Sequence, residues 1–171
     1  MRKLILCMFL LLSLSSFSQS YKKNFLMNIT EEGILHYVYG LEMKSLCDGV
    51  EALEYDYTCV GSRDYVTLAA TCISENVVNI DSLYVLMPSG TTFACGVEKI
   101  FTELKSKWQT RFRVTVDYDF WLEMYGADAP FKIMLVCKDK SQIVYEDSRK
   151  NWMKIWKMMT KIQSVVKVNR D

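Results

Sequence analysis

Leu83-Tyr84-Val85-Leu86-Met87-Pro88-Ser89-Gly90-Thr91-Thr92-Phe93-Ala94-Cys95-Gly96-Val97-Glu98-Lys99-Ile100-Phe101-Thr102-Glu103-Leu104-Lys105-Ser106-Lys107-Trp108 is the stretch on which the fold turns. Leu83 to Met87 is continuously apolar, as expected of a strand covered on both faces, and Pro88-Ser89-Gly90 ends it. Beyond the turn, Phe93, Val97, Ile100, Phe101, Leu104 and Trp108 recur at helical spacing, while Glu98, Lys99, Glu103, Lys105 and Lys107 face the other way. The spacing predicts an amphipathic helix packed on a sheet.

On the C-terminal side the period returns to two: Phe112, Val114, Val116 and Tyr118 alternate with Arg113, Thr115 and Asp117. The next residues fit two readings. One is a short helix from Phe120 to Tyr125, capped by Asp119 and stopped at Gly126; the other continues the strand through 120, 122 and 124. Pro130 opens a strand from Phe131 to Cys137, which a tight turn at Asp139-Lys140-Ser141 joins to Ile143-Val144-Tyr145 as a hairpin. Asp147 or Ser148 then caps a helix with Trp152, Ile155, Trp156, Met159 and Ile162 inside and Lys150, Lys154, Lys157 and Lys161 outside. Residues 83–163 thus read strand, helix, strand, short helix or longer strand, strand, strand, helix. A crossover makes the first two strands parallel and the hairpin adds antiparallel neighbours, which gives an α/β mixed sheet with helices on both faces.

On the N-terminal side, Ile34 to Met43 alternates with Leu35, Tyr37, Tyr39, Leu41 and Met43 on one face, which leaves the only histidine, His36, exposed or at an edge. Leu53 to Val60 and Tyr65 to Ile73 form a hairpin around Gly61-Ser62-Arg63-Asp64, with Cys59 and Cys72 on its buried face. The turn places Cys59 near Val66 and Cys72 near Leu53, so the two sulfurs are not opposite each other. The first eighteen residues read as a signal peptide: Arg2 and Lys3, an apolar run from Leu4 to Leu12, then Ser16 and Ser18. Residues 19–82 form a β-rich extension before a core at 83–168, and the protein is expected to be exported, periplasmic or extracellular.

Composition excludes several chemistries. Among 171 residues there is one histidine, with 21 basic and 20 acidic side chains and no block of like charge. His-rich zinc sites and H-E-x-x-H proteases need more imidazoles, and a nucleic-acid binder needs a basic footprint. No metal or cofactor is expected. Removal of the leader leaves Cys47, Cys59, Cys72, Cys95 and Cys137, an odd number without a C-x-x-C motif, so at least one thiol is unpaired within the chain.

With these residues in place, the element order resembles the thioredoxin-like fold. Tyr125-Gly126-Ala127-Asp128-Ala129-Pro130-Phe131-Lys132-Ile133-Met134-Leu135-Val136-Cys137-Lys138-Asp139 is similar to the run from the end of the second helix through the cis-proline loop to the next strand. The likeness implies the short helix before it. It also places Cys95 at a helix N-terminus, where the attacking cysteine of thioredoxins sits and where the helix dipole lowers a thiol pKa. Cys95-Gly96-Val97-Glu98-Lys99 resembles Cys-Gly-Pro-Cys-Lys with Glu98 in place of the resolving cysteine. Pro88-Ser89-Gly90-Thr91-Thr92-Phe93-Ala94-Cys95 resembles the peroxiredoxin pattern Pro-x-x-x-Thr-x-x-Cys, in which Thr92 would hold peroxide and Pro88 would shield the sulfur. Ala129, Pro130 and Lys132 would line the substrate side, Lys132 near the place of the peroxiredoxin arginine.

The resemblance implies a one-cysteine thiol oxidoreductase acting on peroxide or protein disulfides. The alternative is a redox-inactive thioredoxin-fold scaffold that binds a partner peptide beside Pro130. A third reading is an exported protein of another α+β fold in which Cys95 has no role.

Overall fold

In the computed structural model, which describes residues 22–127 and 129–170, a short 3-10 turn at Lys22–Asn24 leads into ten strands. They are β1 (Phe25–Thr30), β2 (Gly33–Ser45), β3 (Val50–Val60), β4 (Tyr65–Ser74), β5 (Ile80–Leu86), β6 (Thr92–Gly96), β7 (Glu98–Leu104), β8 (Trp108–Asp117), β9 (Lys132–Cys137) and β10 (Gln142–Glu146). Helix α1 (Tyr118–Met124) lies between β8 and β9, and α2 (Arg149–Val168) ends the fold. The predicted signal peptide lies outside the described residues.

The β3–β4 hairpin has the register its alternation predicts, with Cys59 opposite Val66 and Cys72 opposite Leu53. Both thiols are buried and free. The β9–β10 hairpin also forms, and of the two readings before it the short helix does, though it starts at Tyr118 with Asp119 inside its first turn and not as its cap. The last helix forms as well: Ser148 caps it, its side chain accepting from the Asn151 N–H at 3.3 Å.

The fold class differs from the expectation. Every strand pairing is antiparallel, so the protein is a β-rich antiparallel sheet with two helices and not an α/β thioredoxin-like mixed sheet. The helix predicted over Phe93 to Trp108 is instead β6, β7 and the start of β8. Phe93, Cys95 and Val97 pack inward at period two, and a bulge between Lys99 and Phe101 then shifts the phase. A strand that changes phase in mid-course imitates a 3.6 period. No cis peptide bond occurs among the described residues, so Ala129–Pro130 is trans.

The strand order is β6-β5-β9-β10-β2-β3-β4-β8-β7, with β1 paired to β2 off this path. Its two ends are consecutive in the chain. β6 pairs with β5 and β7 with β8, with only Val97 between them, its N–H donating to the Asp81 carbonyl at 3.2 Å. The hydrogen-bonded path therefore returns on itself through one strand that changes neighbours, a known way to turn a sheet corner. The sheet crosses the boundary expected at residue 82, because β4 pairs with β8 from Tyr65 opposite Asp117 to Ser74 opposite Trp108. The ring has a weak join where β10 meets β2, through Tyr145 opposite Ser45, Glu146 opposite Lys44 and the Leu46 N–H on the Val144 carbonyl at 2.8 Å.

The core is aromatic. Trp152 of α2 stacks on Tyr125 with ring centroids 5.6 Å apart and meets Phe131 edge-on at 5.2 Å. Tyr57 meets Trp121 and Tyr125 edge-on and shares a 3.1 Å hydrogen bond with the Tyr125 hydroxyl. Trp152, Ile155, Met159, Ile162 and Val166 form the buried stripe of α2. Beyond its end, the Arg170 guanidinium lies 3.8 Å from the Tyr118 ring centroid and donates to the Arg63 carbonyl and Asp64.

His36 is 1% exposed, not exposed or at an edge as expected. β1 pairs beyond it, the Phe25 ring stacks on it at 5.9 Å, and the Asn169 amide lies 3.0 Å from Nε2. Burial, the larger effect, lowers its pKa against the opposing influence of the Cys59 backbone. The folded state thus resists a proton that the unfolded chain accepts near 6.5. Stability is full above that value and falls as pH drops below it. Urea midpoints taken at about pH 7.5 and about pH 5.5 are expected to fall further in the wild type than in His36→Gln.

Candidate functional site: a tyrosine–arginine cleft on the outer sheet face

The site begins with a bulge. Between Val38 and Leu41 the β2–β3 register shifts, and Gly40 there has φ +70°, a conformation that L side chains rarely adopt. A Cβ at this position would lie 2.8 Å from Asn24 Nδ2, which itself donates to the Tyr39 carbonyl at 2.9 Å. The extra residue reverses the alternation. His36 and Val38 point inward before it, Leu41 and Met43 after it, and Tyr37 and Tyr39 are left on the outer face.

The two tyrosine rings stack, 5.3 Å apart and 16° from parallel. Beside them, Arg111 of β8 donates to Asp56 Oδ2 at 2.6 Å and to Thr71 Oγ1 at 3.0 Å. This ties β8 to β4 and β3. Burial raises the Tyr37 pKa, and the Asp56 charge adds to it against the opposing Arg111 charge. Tyr37, Tyr39, Glu42, Glu54, Asp56 and Arg111 line a cleft of about 280 Å³. Along the same sheet, Tyr37 faces Thr58, Thr58 faces Thr67, and Thr67 faces Thr115. That threonine row leads to a second hollow of about 580 Å³ lined by Arg63, Tyr65, Glu98 and Arg113 among others. There Glu98 accepts two hydrogen bonds from Arg113, at 2.8 and 2.6 Å.

The first cleft offers aromatic faces, hydroxyls and a planar ion pair. No serine, cysteine or histidine lines it. Among the described residues no group of histidine, cysteine or carboxylate side chains could hold a metal ion.

Of the site residues singled out from the sequence none lines the first cleft, and Cys95 alone among them borders the second hollow. Cys95 sits in β6 opposite Leu83, half-buried, its Sγ 3.9 Å from the Leu83 carbonyl. It is not at a helix N-terminus, and burial pushes its pKa up to about 11. Thr92, three residues earlier on the same strand, points to the opposite, exposed face. Pro88 is exposed in the turn between β5 and β6. Ala129 and Pro130 are half-buried in the loop before β9, and Lys132 pairs with Glu146 at 2.9 Å. Lys132 and Thr92 flank Leu86 from either side of β5, on the face away from Cys95. The structure therefore does not bring the cysteine together with the groups expected to serve it.

Unbroken alternation places Tyr37 and Tyr39 on one face with Leu41 and Met43, and the bulge separates the two pairs. The signal that locates them is Gly40, since a glycine inside a strand pattern marks a bulge. Comparison with family models, curated proteins and solved structures finds no match.

Proposed function

We propose that the protein is an exported binding domain, and that its tyrosine–arginine cleft holds a polyhydroxylated ligand, such as a glycan. The stacked Tyr37 and Tyr39 rings beside the Asp56–Arg111 pair are the observation that carries this reading. The C–H face of a sugar packs on an aromatic ring, and adjacent hydroxyls bridge a carboxylate and a guanidinium, whose planar hydrogen bonds fix orientation. The threonine row extends the surface toward the second hollow and would accommodate more than one sugar unit. Thiol chemistry at Cys95 has less support, because the raised pKa leaves little thiolate to attack peroxide or disulfide at neutral pH.

A glycan array followed by calorimetry on the best binders tests the proposal. Tyr37→Ala and Tyr39→Ala are expected to weaken binding by about tenfold or more, each ring supplying on the order of 1.4 kcal/mol. Both side chains lie outside the core, so the fold should persist. An array without binders, or unchanged affinity in both variants, would overturn the reading.

A further inference from the structure

Three features meet in β1. Among the described residues it pairs only with β2, and none of them is a strand partner on its second edge. Its sequence, Phe25-Leu26-Met27-Asn28-Ile29-Thr30, has no charge and no proline, the residues that usually protect an edge. After Phe25 every side chain is exposed: Leu26 by 50%, Met27 by 47% and Ile29 by 91%. By contrast, β7, at one end of the strand order, carries Glu98, Lys99 and Glu103 among its apolar residues.

We propose that the free edge of β1 pairs antiparallel with β1 of a second copy of this chain, forming a two-fold dimer with a sheet continuous across both molecules. The strand's own pattern selects this occupant. Met27 and Ile29 share one face, so an added strand meets them best with apolar residues at the two matching positions. β1 provides these when Asn28 lies on a two-fold axis normal to the sheet. Met27 then meets the copy's Ile29 on one face, Leu26 meets the copy's Thr30 on the other, and Asn28 meets its equivalent. Such cross-strand pairs are the unit of sheet stabilisation, and no like charges oppose each other. One five-residue pairing, Leu26 to Thr30, is smaller than the roughly 1,200 Å² of total buried surface at which stable interfaces begin. The dimer is therefore in concentration-dependent equilibrium with monomer.

Sedimentation equilibrium over a wide concentration range tests this on the chain lacking its first eighteen residues. Wild type is expected to rise toward twice the chain mass. Ile29→Lys is expected to raise the dimer dissociation constant by about tenfold or more. Because Ile29 is almost wholly exposed, circular dichroism of that variant should match wild type. Asn28→Cys should give a disulfide-linked dimer under mild oxidation, beyond any seen in wild type, since this register places the two new thiols opposite each other. A monomer at every concentration would overturn the proposal, as would a dimer that Ile29→Lys leaves intact.

Discussion

Replacement of Trp152 by alanine is expected to cost about 3–5 kcal/mol, the range for deleting a large aromatic side chain from a packed core. The ring is fully buried between Tyr125, on which it stacks, and Phe131, whose edge it meets. Tyr125 follows α1, Phe131 precedes β9 and Trp152 belongs to α2, so one side chain fixes three elements against each other. The Tyr125 ring cannot collapse into the space without breaking its contact and hydrogen bond to Tyr57. Domains of this size have total stabilities of about 5–15 kcal/mol, and the loss corresponds to a fall in Tm of roughly 10 °C or more. Thermal unfolding followed by near-UV circular dichroism measures it. Trp156→Ala, at a half-buried position on the same helix, should cost much less.

Asp56→Ala is expected to destabilise by about 2 kcal/mol, since it leaves the Arg111 guanidinium without its carboxylate at a largely buried position. The Arg111 side chain is 28% exposed and that of Asp56 11%, so water screens part of the interaction and the cost stays below that of a fully buried pair. Asp56→Ala combined with Arg111→Met should recover much of the loss, because an apolar side chain has no charge to leave unpaired. Urea unfolding of the four members of this cycle gives the coupling directly. A coupling near zero would show that the pair behaves as an ordinary surface contact. If the double variant is stable and still fails to bind glycan, the pair is needed for the ligand and not for the fold.

What could be read from the sequence was local. The Cys59–Val66 and Cys72–Leu53 pairings, the β9–β10 hairpin and the Ser148-capped helix depend on residues close in the chain with unbroken periodicity. What could not be read came from two bulges. At Gly40 an extra residue leaves Tyr37 and Tyr39 outside and His36 inside while Leu41 and Met43 stay buried, so the single face that unbroken alternation predicts for Tyr37 to Met43 does not form. Near Ile100 another made a strand segment look helical, and the resemblance to a thiol oxidoreductase was built on that apparent helix. Pairings such as β4 with β8 or β2 with β10 join distant segments, and no local pattern specifies them.

The join between β10 and β2 is the short pairing that closes the ring. It brings Lys44 opposite Glu146 with few pairings on either side, so a long loop must close before much enthalpy is gained. On loop-closure grounds the β2-β3-β4 meander, held by short turns, is expected to form before the ring closes at this seam. Strand edges left open before closure can pair with other chains, so refolding yield is expected to fall as protein concentration rises.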